Sequence, residues 1–381
     1  MSHKILFDLV NTQPSISGKR HGGGIYGEIV FRKLVEKGAD LVAYYDSQRW
    51  LNPDIADIID RSGIKLLDIN KCTLRQVAEE SGADILYTCL PGKYHLASGI
   101  KVLGTLHGLR HLEMPYDDDM TLYPNISRSH RLKYLIRNIM PSLVTWFNRR
   151  KQYNFLLSHA VDFVVVSNFT LHSVRSFYPC FAERDIKVFY SPSTTLDIPI
   201  PEGPAAAYPY FLMVSGNRWE KNTIRAIRAF EKLFDEGKLD GIKVHITGLK
   251  SLDMLRYNYR HPERFVAMGY VDDDELQRQY RDCYAFVYPS LNEGFGYPPV
   301  EAMRFGAPIA ASNACSIPEV CGDAALYFNP TDVEEMSRQI EMLTDPSVRG
   351  RLHDAALARY DYITERQTRD LNLFADYIMN F

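Results

Sequence analysis

The chain has 381 residues, of which 46% are hydrophobic and 24% charged, a composition that excludes wholesale disorder and a length that suits two globular domains. Its 44 Lys and Arg against 47 Asp and Glu leave a net charge of -3, which argues against a surface coated for nucleic acid. No run of about 18 apolar residues lacks a charge, so no membrane-spanning helix is expected. Nor does the start, Met1 to Val10, broken by Asp8, read as a signal peptide. Short apolar runs then alternate with amphipathic stretches. Residues 4–10, 41–45, 85–90, 101–106, 163–167 and 186–190 read as buried strands of a parallel sheet, with helical periodicity over 26–37, 74–81 and 169–177. From Ser191 to Pro209 the pattern lapses, and Pro192, Pro199, Pro201, Pro204 and Pro209 mark a stiff linker. Alternation restarts with strands over 210–214, 243–247, 265–268, 285–288 and 308–311, and helices over 222–236, 274–281, 299–305, 333–343, 346–360 and 365–380. Asp272-Asp273-Asp274 open one of these helices as cap and dipole residues. The expected architecture is α/β, two doubly wound sheets in tandem, with ligand bound beyond the carboxyl ends of the strands in a cleft between the domains.

The most informative stretch runs from Tyr288 to Met303, Tyr-Pro-Ser-Leu-Asn-Glu-Gly-Phe-Gly-Tyr-Pro-Pro-Val-Glu-Ala-Met. A strand ends at Tyr288, a glycine turn follows, and Pro298 and Pro299 stand where a helix opens. Gly294 and Gly296 allow backbone amides to approach a ligand closely, and a helix start favours an anion. Glu293 lies in the turn and Glu301 eight residues on, so one acid can face a ligand at the loop while the other faces its far end. A capped turn with one surface acid fits the same string.

The string Glu293-Gly-Phe-Gly-Tyr-Pro-Pro-Val-Glu301 resembles the E-x7-E signature of the retaining glycosyltransferase family 4, which has the GT-B fold of two Rossmann-like domains. Other pieces fall in the family's order along almost the whole chain. They are Gly22-Gly-Gly24-Ile-Tyr, Thr105-Leu-His107-Gly-Leu, Val166-Ser167-Asn-Phe-Thr170, Gly216-Asn-Arg218-Trp-Glu-Lys221-Asn222, Ile317-Pro-Glu319-Val and Gly322-Asp-Ala-Ala325. The resemblance implies an acceptor-binding domain over 1–195 and a nucleotide-sugar-binding domain over 205–361, with a last helix, 362–381, crossing back. It implies that Arg218 and Lys221 neutralise the donor diphosphate, a task suited to a bidentate guanidinium and a point-charge ammonium. Glu301 would bind the ribose hydroxyls, and Glu293 the donor-sugar hydroxyls, helped by the amides of Gly294, Phe295 and Gly296 beside Tyr297. Tyr270 and Val271 would border the base, His107 the donor sugar, and Gly23 and Gly24 the phosphates or acceptor. The expected catalytic set is Glu293, His107, Arg218 and Lys221, with no metal and no cofactor beyond the donor itself, GDP-mannose or a UDP-hexose. The family's stereochemical outcome is retention, by same-face substitution with the leaving phosphate helping to deprotonate the acceptor.

Three rival readings meet specific objections. Gly22-x-Gly24-x-x-Gly27, with Asp46 19 residues later, matches a dinucleotide fingerprint and suggests an NAD-dependent oxidoreductase. The fingerprint requires the helix to follow the first strand directly, whereas 11 residues, Asn11 to His21, intervene. A protein that only binds sugar nucleotides is opposed by the intact set of Arg218, Lys221, Glu293 and Glu301. Asp117-Asp118-Asp119 has the form of a metal-binding D-x-D but lacks a preceding strand, and reads as a solvated loop.

Two further features concern surroundings. Between Met120 and Val161 stand Arg128, Arg131, Lys133, Arg137, Arg149, Arg150 and Lys151 with no Asp or Glu, interleaved with Leu132, Ile136, Ile139, Leu143, Trp146 and Phe147. Such a segment suits an anionic membrane surface carrying a lipid-linked acceptor, and an ordinary helix pair with a basic face fits it equally. The six Cys form no C-x-x-C pair, so a reducing, cytoplasmic setting is expected, with peripheral attachment at the inner membrane face.

Overall fold

The computed structural model describes residues 3–14, 21–90, 100–114, 118–124, 129, 132, 136, 139–157, 161–195 and 199–381. By contact, the chain divides into two compact units. The first comprises Met1–Leu109, Phe147–Thr194 and Thr364–Phe381, and the second Arg110–Trp146 and Thr195–Ile363.

The first unit holds a parallel sheet of β1 (Ile5–Asp8), β2 (Leu41–Tyr45), β3 (Lys65–Asp68), β4 (Ile85–Thr88), β5 (Lys101–Leu106) and β6 (Val161–Val165) in the order β3-β2-β1-β4-β5-β6. Helices α1 (Gly22–Glu36), α2 (Pro53–Arg61) and α3 (Leu74–Ser81) link the first four strands. After β5 come the single turn α4 (Arg110–Glu113) and α5 (Pro141–Leu157), and after β6 comes α6 (Asn168–Phe177). The central strands are buried from end to end, as a parallel sheet covered on both faces requires. Caps set the helix starts. Ser167 Oγ accepts from Thr170 N at 3.1 Å, and Thr73 and Gln76 close a reciprocal capping box. Gly24 is needed for packing: a Cβ there would stand 2.6 Å from the Thr12 carbonyl oxygen. The glycines therefore lie in the first turn of α1 rather than in a loop, and His21 caps that turn by accepting from Gly24 N at 3.0 Å.

The second unit repeats the topology with β7 (Tyr210–Met213), β8 (Lys243–Thr247), β9 (Phe265–Gly269), β10 (Ala285–Tyr288), β11 (Ile309–Ser312) and β12 (Ala325–Phe328), ordered β12-β11-β10-β7-β8-β9. Its helices are α7 (Thr223–Asp235), α8 (Asp273–Asp282), α9 (Tyr297–Met303), α10 (Ile317–Cys321), α11 (Val333–Met342) and α12 (Pro346–Met379). The core forms where β7, β8 and β10 meet α7 and α11, around Phe211, Ile227, Phe230, Val287 and Ile340. In each sheet the chain reverses direction of travel between the first and fourth strands, β1 and β4 or β7 and β10, and loops at that switch point are where ligands bind in such sheets.

Several sequence expectations need correction. Residues 186–190 form no strand but a single bridge, Val165 to Val188, because Tyr190 N turns away to donate to Asp370 Oδ2 at 3.0 Å. The two helices expected over 346–360 and 365–380 are one, α12, since no Gly or Pro interrupts Asp361-Tyr-Ile-Thr364. Asp119 is not solvated: it is buried and gripped by the Arg228 guanidinium through both oxygens, at 2.8 and 2.6 Å. Strands β3 and β12 and helices α2 and α10 were not among the expected elements.

Candidate functional site

Two loops of the second unit leave its switch point, one after β7 (Val214 to Asn222) and one after β10 (Pro289 to Gly296). Asn222 joins them. Its side chain donates to the carbonyls of Pro289 at 3.0 Å and Pro330 at 2.6 Å, and its φ of 56° is a left-handed value that Asn tolerates better than most residues. The join brings Lys221 Nζ within 2.6 Å of Glu293 Oε1 and 3.1 Å of the Tyr288 hydroxyl. Ser290 Oγ lies 2.6 Å from the same Oε1 and 3.0 Å from the Glu220 carbonyl, so its single proton can serve only one of them at a time. Both partners of the ion pair are withdrawn from water, with side chains 7% and 12% exposed.

Burial alone pushes the Glu293 carboxyl up, but the Lys221 charge and hydrogen bonds from Lys221 and Ser290 override it and hold the group down at about 2. Burial lowers Lys221, and the Glu293 carboxylate opposes that. The pair is thus a fixed anion against a fixed cation, with Oε2 of Glu293 taking neither of these bonds. Arg218 lies alongside, its Nε 3.2 Å from Glu220 Oε1, and its charge further depresses Lys221.

The turn is held from below. Ser316 Oγ sits 3.0 Å from the Glu293 carbonyl and 2.9 Å from the Phe295 carbonyl. Gly296, at φ 103°, then starts α9, a conformation that a side chain would strain. Phe295 is buried and packs at 5.7 Å between ring centres against Tyr297. Glu301 projects from α9 beside buried Tyr280, whose phenol is pushed well up by burial and then by the Glu301 charge. Tyr270 and Val271 follow the edge strand β9, two strands from β7, and the Tyr270 ring is 77% exposed.

The structure therefore gathers Arg218, Lys221, Glu293 and the glycine turn into one constellation, with Glu301 on the helix that the turn opens. Gly23, Gly24 and His107 belong to the first unit. His107 Nε2 lies 2.9 Å from the Cys89 carbonyl, which can only accept, so Nε2 carries the proton. Burial takes the imidazole down to about 4, against the pull of that carbonyl. His107 is consequently neutral at pH 7, its Nδ1 left as an acceptor, its ring edge-on to Tyr26 at 4.8 Å. Sequence reasoning missed Glu220, Tyr288, Ser290 and Ser316 as members of the constellation, although the first three lie inside strings it had singled out. It also missed Arg110 and Glu113, for which no local signal existed. Glu113 Oε2 accepts from Asn292 Nδ2 at 2.7 Å, and Arg110 Nη1 stands 3.1 Å from Glu220 Oε1.

Two parallel doubly wound sheets with these loops define the GT-B fold class. Residues 198–359 match the family described as Glycosyl transferases group 1. It is 42% identical over 119 residues, 31% of its length, to the serotype-specific mannosyltransferase WbdA of Escherichia coli, of which the match covers 15%. It is 32% identical over 162 residues, 42% of its length, to the O-antigen chain mannosyltransferase RfbU of Salmonella typhimurium, covering 45% of that protein. In both cases the match spans less than half of the relative's own length. Among solved structures, HepE of Anabaena in complex with UDP and glucose superposes with a TM-score of 0.63 over 100% of each chain at 14% identity, a likeness of fold.

Proposed function

We propose that this protein transfers a hexose, mannose in the first instance, from a nucleotide-diphosphate sugar to a glycan or lipid-linked acceptor in polysaccharide assembly. The observation that carries this reading is the Lys221–Glu293 pair with Arg218 on the two switch-point loops of the second unit. The names of the matching relatives, both mannosyltransferases, support the choice of sugar and the glycan setting. In this reading Arg218 and Lys221 stabilise the charge that grows on the leaving diphosphate, in place of a metal ion. Glu293, with Glu301 at the ribose end, receives hydroxyls of the bound donor. A carboxylate at about 2 and tied to an ammonium is a weak base and a weak nucleophile, which favours a positioning and electrostatic role over a covalent one. The bond from the anomeric carbon to the diphosphate oxygen breaks as the acceptor oxygen bonds on the same face. The acceptor proton passes to the leaving phosphate, and configuration is retained. A thermal-shift screen with EDTA present, over GDP-mannose, UDP-glucose, UDP-galactose and UDP-N-acetylglucosamine, tests the donor. GDP-mannose is expected to raise the midpoint most. No shift with any of them would remove the reading.

The acceptor reading adds an anionic membrane surface contacted by 120–161. Arg128, Arg131, Lys133 and Arg137 lie outside the described residues. Of the remainder, Ile139 is 76% exposed, and Leu143, Trp146, Phe147, Arg149 and Arg150 are also exposed, a mixture of apolar and basic side chains open to a surface. Among the described residues no helix is long and apolar enough to cross a membrane. The protein is expected to pellet with phosphatidylglycerol vesicles at low salt and to be released at high salt. Unchanged pelleting of an Arg149→Glu, Arg150→Glu variant would refute the surface contact.

A further inference from the structure

We propose that Arg110 is a third cation of the donor diphosphate site. The inference rests on reading the second unit as a nucleotide-sugar site, and adds a residue from a segment far from both of its loops in sequence. Arg110 Nη1 and Arg218 Nε converge on one oxygen of Glu220, at 3.1 and 3.2 Å. A guanidinium has five N–H donors in a planar fork, and one carboxylate oxygen engages only part of two such forks. Among the described residues, Glu220 is the acid that both guanidiniums face, and the two side chains remain 47% and 45% exposed. Glu220 thus holds two half-solvated guanidiniums side by side, next to the backbone of Lys221. Two forks gathered on one carboxylate oxygen suit a diphosphate, which offers several bidentate acceptors where a monophosphate offers fewer.

Arg110 is also built into the unit rather than resting on it. Three residues on, Glu113 accepts from Asn292, the neighbour of Glu293. Further along, Asp119 clasps Arg228 with both oxygens, at 2.8 and 2.6 Å, and Arg225 lies 3.6 Å from it. The Tyr123 hydroxyl accepts from Ile224 N at 3.1 Å, and Leu122 O accepts from Arg256 N at 2.8 Å. Residues 110–114 and 118–123 are therefore each fastened to the second unit, the first at both site loops and the second at α7. The charges facing Arg110 from these elements are those of Glu220 and Arg218 beside it, with Lys221, Glu293 and Glu113 next along the loops.

The test is calorimetric binding of GDP, GMP, UDP and UMP to the full chain as wild type, Arg110→Gln and Arg110→Lys, without acceptor present so that no acceptor phosphate contributes. For whichever base binds, Arg110→Gln is expected to weaken the diphosphate about tenfold and the monophosphate less than twofold, as loss of a charge-assisted contact predicts. Arg110→Lys, which keeps charge without the fork, is expected to recover part of the loss. It also decides the matter through the same diphosphate-to-monophosphate ratio should the Gln variant fold poorly. Equal weakening of both nucleotides, or of neither, would overturn the proposal and leave Arg110 a structural tie. Wild type that binds no nucleotide at all would instead remove the donor-site reading beneath it, a different and recognisable result.

Discussion

Glu293→Gln is expected to lower kcat/KM by about 10³-fold, the scale of removing a preorganised electrostatic contact from a water-poor site. The reason lies in the pairing. Gln keeps the shape of Glu293 and can still accept from Ser290, but it takes away the charge opposite buried Lys221. An ammonium left in that environment without its counter-ion costs on the order of 3–5 kcal/mol and tends to shed its proton, so one substitution disables both residues. Adding Lys221→Met to Glu293→Gln removes the stranded charge. Thermal stability should then recover much of its loss while turnover does not. Turnover of Glu293→Gln within tenfold of wild type would sink the site assignment. So would a double variant that regains activity along with stability.

The same pair fixes a pH signature. The carboxyl of Glu293 is held at about 2 in the folded protein against an ordinary 4.5. A depressed acid stabilises the fold above its unfolded value and loses that contribution as pH falls through its folded one. The contribution is on the order of 3 kcal/mol from the shift alone, and it should fade between about pH 4.5 and 2 in wild type and be missing from Glu293→Gln. Neither Glu293 nor His107, held at about 4, titrates between pH 6 and 8, so an activity change in that range belongs to other groups.

What the sequence disclosed and what it withheld divide along a physical line. Strings that lie on one strand-to-loop transition, such as Arg218 to Asn222 and Tyr288 to Met303, keep their chemistry contiguous, and the alternation of buried runs around them was enough to place both loops after strands. Pairings between distant segments left no such trace. Asn292 meets Glu113 across 179 positions and Arg110 meets Glu220 across 110, so nothing local distinguished either from an ordinary surface residue. Strand β3, Lys65–Asp68, was hidden for another reason: an edge strand only four residues long, with charge at both ends, has no apolar run to show. The break expected near Asp361 came from weakened periodicity where α12 changes the unit it packs with, as Thr364–Phe381 cluster with the first unit. Periodicity reports a constant neighbour, and a helix that changes neighbours loses it without ceasing to be a helix.

Tyr123→Ala should be the most damaging single change in the segment between β5 and α5. Tyr123 is 2% exposed, and its ring joins the core of the second unit with Phe211, Ile224, Phe230 and Leu255. Its hydroxyl satisfies the Ile224 amide, one of the free N–H groups at the start of α7. Truncation removes a large buried ring and orphans that donor, at a combined cost of about 4 kcal/mol, or about 10 °C in midpoint for a unit of this size. Tyr123→Phe isolates the second term and should cost about 1 kcal/mol. Because α7 begins directly after Lys221 and Asn222, loosening its first turn should also weaken nucleotide binding in proportion to the stability lost. A Tyr123→Ala midpoint near wild type would show that the ring is not part of this core, and would detach 110–123 from the unit that carries Lys221 and Glu293. A large drop for Ala with a small one for Phe would establish the opposite: a stretch that begins next to the His107 strand is, energetically, a piece of the donor-binding unit.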